Sequence, residues 1–281
     1  IAAAFHEKGH PVTLLTSGAN SSQVFAFHMV SHTDRTRLSF RKVVAFDRFC
    51  THYLSQHPSD VVFGLDRNCF QTHLRASNGV HAAYLERRKK SEGLFKGMTF
   101  PYNPLHRTIL HFEKTAFENP SLKKLFVNSH MVKREVLSYY QVNPQLVEVV
   151  HNGVEWREME PFFAAWPTVR KPQFPFTFLF LGHNFQRKGL SELLHSLPLL
   201  SDPFRLWIVG HDKNLTFFQE LVHKLHLDHC VTFWGQQKEV IPFYQQADCL
   251  VIPSHYDPFA NVTLEALAMG LFVVSSKENG A

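Results

Sequence analysis

Short apolar runs bounded by glycine, proline or charged residues recur along the whole chain, with amphipathic stretches between them. In the first half a helical turn stops at Gly9, and "PVTLLTS" (Pro11 to Ser17) follows as a strand. "VFAFHMV" (Val24 to Val30) and "DVVFGLD" (Asp60 to Asp66) read as strands on either side of a charged amphipathic stretch from Arg37 to Gln56. "QTHLRASN" (Gln71 to Asn78), a helical segment over 81–91, "KLFVNSH" (Lys124 to His130), "MVKREVLSYY" and "LVEVVHNGV" (Leu146 to Val154) continue the alternation. Strands of near-continuous Val, Leu and Phe separated by helices predict a mostly parallel sheet covered on both faces.

Residues 157–175 carry Pro161, Pro167, Pro172 and Pro175 with little periodicity and read as an interdomain linker. The cycle then restarts with "FTFLFLG" (Phe176 to Gly182), "FRLWIVG" (Phe204 to Gly210), "VTFWG" (Val231 to Gly235), "DCLVIPS" (Asp248 to Ser254) and "FVVSS" (Phe272 to Ser276). These five strands alternate with four helices, the pattern of a second doubly wound domain. The predicted organisation is therefore α/β, with a domain over 1–156, a linker over 157–175 and a domain over 176–281. The C-terminal ends of the two sheets should face each other across a cleft, where ligands of open α/β sheets bind. The first domain opens on a helix with no strand before it, and the second stops just after its fifth strand. The sequence is thus expected to be a fragment lacking an N-terminal strand with its loop and a C-terminal helical tail.

Composition narrows the class. With 44% apolar and 19% charged residues over 281 positions, the chain can bury a sizeable core. No window approaches the ~18 consecutive apolar residues of a membrane span, and "IAAAFHEKGH" lacks the layout of a signal peptide. Cys50, Cys69, Cys230 and Cys249 form no Cys-x-x-Cys pair, so reduced thiols in a cytoplasmic protein are the simplest reading. Residues 1–155 hold 19 Lys/Arg against 12 Asp/Glu, whereas 156–281 hold 10 against 12. The basic half, with "ERRKK" (Glu86 to Lys90), fits an anionic partner, and equally a solvated helix face. "HEKGH" (His6 to His10) has the letters of a zinc-protease motif, but Gly9 ends the helix that would have to carry both histidines. The many Phe residues come with no nucleic-acid recognition motif, so no nucleic-acid partner is expected.

The candidate chemistry lies in "HYDPFANVTLEALAMG" (His255 to Gly270). Pro258 delays the helix, Asn261 is a good N-cap, and Gly270 is a stop. Backbone amides from Phe259 to Thr263 would point out of the helix start, where a diphosphate is attracted by unpaired donors and the helix dipole. Glu265 would accept both hydroxyls of a ribose, and Asp257 would reach the group beyond the phosphates. An ordinary capped helix with two surface acids fits the same spacing. "LGHNFQRKGLSELL" (Leu181 to Leu194) places Arg187 and Lys188 on the loop after the first strand of the same domain. Two cations there suit an anionic ligand, and the two loops together make a binding-site hypothesis.

These residues resemble glycosyltransferase family 4 enzymes of the GT-B fold, two Rossmann-like domains facing across a cleft. The resemblance is carried by Asp257, Phe259, Ala260, Glu265, Ala266, Ala268 and Gly270, by Pro253-Ser254 and Lys188-Gly189, and by "VNSHMVKREVL" and "VVHNGVE". Within the family, "RKG", "GVHAAYLERR" and "YDPFANVTLEALAMG" look most like the bacterial lipopolysaccharide core glucosyltransferase I group. The resemblance implies retaining transfer of a hexose, glucose from UDP-glucose, to a glycan or glycolipid acceptor. It implies no cofactor beyond that nucleotide-sugar substrate, and the chain holds no Asp-x-Asp, which agrees with a metal-independent reaction. By the same resemblance, Arg187 and Lys188 neutralise the leaving diphosphate and Glu265 holds the ribose. Asp257 with Phe259, Ala260 and Asn261 positions the donor sugar, Gly182 closes the first strand beside it, and His81 in "SNGVHAAY" faces the sugar from the first domain. A cytoplasmic enzyme, peripheral at the inner membrane through its basic half, is expected. Asp257 stands where Glu is usual, Ala260 where Gly is typical and His183 where many members have Arg. The Gly-rich loop of the first domain would precede residue 1, so the fragment is expected to be inactive or poorly folded. A sugar-nucleotide epimerase on the same scaffold and a non-catalytic sugar-nucleotide or polyanion-binding fragment are the rival readings.

Overall fold

The structure is a computed structural model that describes residues 1–18, 27–34, 36–66, 68–165 and 174–281. The first half runs α1 (Ala2–Glu7), β1 (Thr13–Thr16), β2 (His28–Ser31), α2 (Ser39–Gln56), β3 (Phe63–Gly64) and β4 (His73–Ala76). It continues with α3 (His81–Glu92), α4 (Leu94–Thr99), α5 (Pro104–Phe117), β5 (Lys124–Val127), α6 (His130–Tyr139) and β6 (Val147–Val149). After α7 (Trp156–Ala164) come β7 (Phe176–Leu181), α8 (Leu190–Ser196), β8 (Phe204–Val209), α9 (Leu215–Lys224) and β9 (Val231–Gly235). The chain finishes with α10 (Ile241–Gln246), β10 (Cys249–Ile252), α11 (Asn261–Ala268) and β11 (Phe272–Ser275).

Among the described residues the strands form a β1-β2 pair, a sheet ordered β3-β4-β5-β6 and a sheet ordered β11-β10-β7-β8-β9. Every pairing is parallel. The expected α/β organisation is what the chain adopts. Parallel strands need crossovers, and the crossover helices clothe both faces, so alternate residues of one strand enter different cores. Phe180 of β7 joins the cluster of Leu190, Leu194 and Phe218, while its neighbours Leu179 and Leu181 join that of Tyr244, Ala266 and Met269. The first domain buries Leu74, Val80, Leu125, Val127, Val132 and Val136 in its own core. No helix among the described residues is long and apolar enough to cross a membrane.

Three segments depart from expectation. Residues 24–26 of the predicted Val24–Val30 strand lie outside the described residues, and the strand there is His28–Ser31. The stretch read as linker begins as α7, because Met159 finds the apolar surface of Leu179, Tyr244 and Leu250 to bury against; 166–173 lie outside the described residues. α5 has no counterpart in the predicted alternation. Asn103 caps it by accepting from the Leu105 and His106 amides, Pro104 occupies its first position, and Phe112, Ala116 and Phe117 form its buried face. α1 ends at Glu7, so His10 lies off the helix that holds His6, as the Gly9 stop predicted.

Candidate functional site

In the sheet ordered β11-β10-β7-β8-β9 the winding reverses between β10 and β7. Loops leaving the C-terminal ends of two such strands diverge and open a crevice between them. The loops here are 182–189 and 253–260, and they touch at the backbone. Gly189 has φ +80°, and a Cβ there would lie 2.0 Å from the Pro253 carbonyl oxygen, so glycine is required both for the turn and for the approach. His255 donates its amide to the Arg187 oxygen at 2.9 Å, which sets the register of the two loops.

This contact brings the predicted charges together. Lys188 Nζ donates to Asp257 Oδ2 at 2.5 Å, and Arg187 Nη1 donates to the same oxygen at 3.1 Å and to the Tyr256 carbonyl at 2.8 Å. Lys188 and Asp257 are buried, whereas the Arg187 side chain is 29% exposed and forms the solvent edge of the cluster. Burial pushes the Lys188 ammonium pKa below its ordinary range, with the Asp257 carboxylate opposing that shift. Two cations and one carboxylate leave one net positive charge in a site of low dielectric, the condition under which an anion is held strongly. The methylene stem of Lys188 crosses Gly182, where a Cβ would stand 3.3 Å from Lys188 Cε.

The helix start differs from expectation in detail. The Phe259 amide donates to Asp257 Oδ1 at 3.3 Å, the Ala260 amide to Asn279 Oδ1 at 3.1 Å and the Thr263 amide to the Ala260 oxygen at 2.9 Å. These three amides are therefore engaged within the chain. Asn261 is the first helical residue and not the N-cap. Its Oδ1 accepts from Asn152 Nδ2 of the first domain at 2.7 Å, and Asn152 accepts from Arg75 Nη2 at 2.7 Å, a chain of hydrogen bonds that competes successfully for the capping oxygen. Glu265 Oε2 accepts from the Tyr244 hydroxyl at 2.7 Å; burial and then the Glu265 charge push the Tyr244 hydroxyl pKa well up, so the tyrosine stays a donor.

A cleft of about 460 Å³ separates the two domains here. Arg187, Asp257 and Phe259 line one wall and His81 with Tyr84 the other, while Gly182, Lys188, Ala260, Asn261 and Glu265 lie outside its lining. His81 opens α3, and its amide donates to both oxygens of Glu113 at 2.8 and 3.0 Å. Its Nε2 lies 3.1 Å from His106 Nδ1, one ring donating to the other. Burial, and then the Arg88 charge, lower the His106 pKa from the ordinary 6.5. Glu113, fully buried, also accepts from Ala82 and from the Tyr140 hydroxyl at 2.6 Å. Glu113, His106 and Tyr256 escaped sequence reasoning. The Asn103-Pro104 pair, a cap followed by a helix-starting proline, was the available sign of the helix that carries the first two.

Two parallel α/β domains meeting across a cleft, with a cation pair at the switch point of the second, are the GT-B arrangement. The chain belongs to glycosyltransferase family 4: residues 1–156 match the family model of that description, and residues 175–281 match the model described as glycosyl transferases group 1. It is similar to the lipopolysaccharide glucosyltransferase WaaG of Escherichia coli strain K12, 23% identical over 288 residues, covering 98% of this chain and 74% of that protein. The uncharacterized glycosyltransferase MJ1607 of Methanocaldococcus jannaschii is 29% identical over 165 residues, 54% of this chain and 42% of its own length. Among solved structures, WaaG superposes with a TM-score of 0.75 at 22% identity, covering 99% of this chain and 76% of that one. Sucrose-phosphate synthase from Thermosynechococcus elongatus superposes with a TM-score of 0.70 at 19% identity, covering 99% and 74%.

Proposed function

We propose that the protein transfers a hexose, glucose from UDP-glucose, with retention at the anomeric carbon, to a lipopolysaccharide-core-type or related glycan acceptor. The observation that carries this reading is the convergence of Arg187 and Lys188 on Asp257, with Arg187 and Asp257 lining one wall of the cleft and His81 the opposite wall. As the glycosidic phosphate bond lengthens, negative charge accumulates on the departing diphosphate, and preorganised cations stabilise that charge more than they stabilise the bound donor. Arg187, at the solvent edge, would meet the diphosphate directly, and Lys188 would act from behind Asp257. The two cations would fill the place a divalent metal takes in other nucleotide-sugar enzymes. Glu265, one oxygen held by Tyr244, would take the ribose hydroxyls through the other from beyond the cleft lining, and Asp257 with Asn261 would place the donor sugar, the Phe259 and Ala260 amides being engaged within the chain. The likeness to a relative named for lipopolysaccharide glucosyl transfer supports the choice of donor and acceptor.

Calorimetric titration of the purified protein with UDP-glucose and UDP tests the site. Lys188→Ala and Glu265→Ala are each expected to weaken binding by about ten- to a hundredfold, the worth of a hydrogen bond to a charged group; unchanged affinity in both variants refutes the assignment. Product analysis with a heptose-containing lipid acceptor separates transfer from epimerisation. The basic first domain would rest on the anionic cytoplasmic face of the inner membrane, and sedimentation with vesicles should then depend on their anionic lipid content.

A further inference from the structure

Tyr256 belongs to the second domain by sequence but is buried, 3% exposed, in the core of the first, beside Val80 and Ala83. Its hydroxyl accepts the Val80 amide at 2.9 Å and donates to Glu135 Oε2 at 2.9 Å. The Arg87 guanidinium lies 5.0 Å above the ring centroid and pairs with Glu135 at 2.9 Å and with Glu278 at 2.7 Å, so charges from both domains surround the ring. The same residue's carbonyl oxygen accepts Arg187 Nη1, and the next residue, Asp257, holds both cations. Val80, at the far end of the hydroxyl contact, immediately precedes His81. One residue therefore touches both walls of the cleft.

The surroundings are built to admit it. Gly79 has φ +70°, and a Cβ there would lie 2.4 Å from the Tyr256 hydroxyl oxygen and 2.5 Å from Pro258 Cγ. An apolar plug would have sufficed to join two domains by hydrophobic contact. A hydroxyl with a donor on one side and a carboxylate on the other instead fixes the ring in one position, because a buried polar group is tolerated only while it is paired. Side chain and carbonyl share one Cα, so withdrawal of the ring from the first domain carries the Arg187 anchor with it.

We propose that Tyr256 is a positioning residue that couples docking of the two domains to the aim of Arg187 at the diphosphate, an inference that rests on the diphosphate role proposed above. A double-mutant cycle with inorganic pyrophosphate as the probe tests it. Tyr256→Phe and Arg187→Ala are each expected to weaken pyrophosphate binding about tenfold, with the double variant no weaker than either alone, since the two act as one unit. Small-angle scattering should show the Tyr256→Phe protein expanded relative to the parent. Gly79→Ala keeps the hydroxyl but removes its space, and should reproduce both effects. Additive losses in the double variant, or parent-like pyrophosphate affinity in both Tyr256→Phe and Gly79→Ala, overturn the coupling. If Tyr256→Phe does not fold, Gly79→Ala and the milder Arg87→Gln take its place in the cycle, and additivity there overturns the proposal equally. An Arg187→Ala protein that binds pyrophosphate like the parent refutes the diphosphate reading instead, while the scattering still reports on the docking.

Discussion

Glu113 is a fully buried carboxylate that serves as an internal anion for the N-terminus of α3, accepting from the His81 and Ala82 amides and from the Tyr140 hydroxyl. A negative group at that helix end is favoured by the unpaired amides and the helix dipole. Glu113→Ala strands those buried donors, and a loss of about 3 kcal/mol is expected in urea unfolding, whereas Glu113→Gln, which keeps an acceptor oxygen, should lose less. Asp257 gives a second prediction at this scale. Asp257→Asn leaves Lys188 beside Arg187 without a counter-charge, and a destabilisation of about 3 kcal/mol is expected, at the low end for a broken buried pair because Arg187 is partly exposed. Arg187, Lys188 and Asp257 were each legible as candidates, since they stand just after apolar runs, at the strand ends where ligands of open α/β sheets bind. That two cations would share one oxygen of Asp257 was not legible, because the partners are 69 and 70 positions apart.

At the scale of elements, the two site loops hold their shape through backbone contact. Gly189→Ala forces a side chain into φ +80° and against the Pro253 carbonyl, and a stability loss of about 3 kcal/mol is expected, seen as a lowered melting temperature together with weaker nucleotide binding. The five strands and four helices of the second half were readable because parallel strands buried on both faces are apolar at nearly every position. α5 was missed although both of its signals are local: Phe112, Ala116 and Phe117 recur at helical spacing on its buried face, with His106, Arg107, His111 and Lys114 between them, and Asn103 with Pro104 opens it. Asn261 shows the opposite error. Its capping propensity is real, but a tertiary hydrogen bond from Asn152 outweighs the local one.

For the whole molecule, burial couples folding to pH. His73 and His106 both have pKa values lowered from 6.5, first by burial and then by the neighbouring Lys123 and Arg88 charges. The folded state therefore binds fewer protons than the unfolded state in the window just below 6.5, so these residues' contribution is fully present above it and is lost as pH falls through the folded values. The urea midpoint should accordingly fall between pH 7.5 and pH 5.5, and less so in a His73→Gln, His106→Gln protein. The parallel α/β class, the restart of the strand–helix cycle after residue 175 and the loop that carries the cations were determined by sequence alone, because apolar periodicity and turn chemistry act over a few residues. Tertiary structure alone decided that Asp257 is neutralised from within its own domain, that Glu113 and His106 stand behind His81, and that Tyr256 lies in the other domain's core. Those contacts join residues 25 to 176 positions apart, and at that range only the packing of whole elements determines which groups meet.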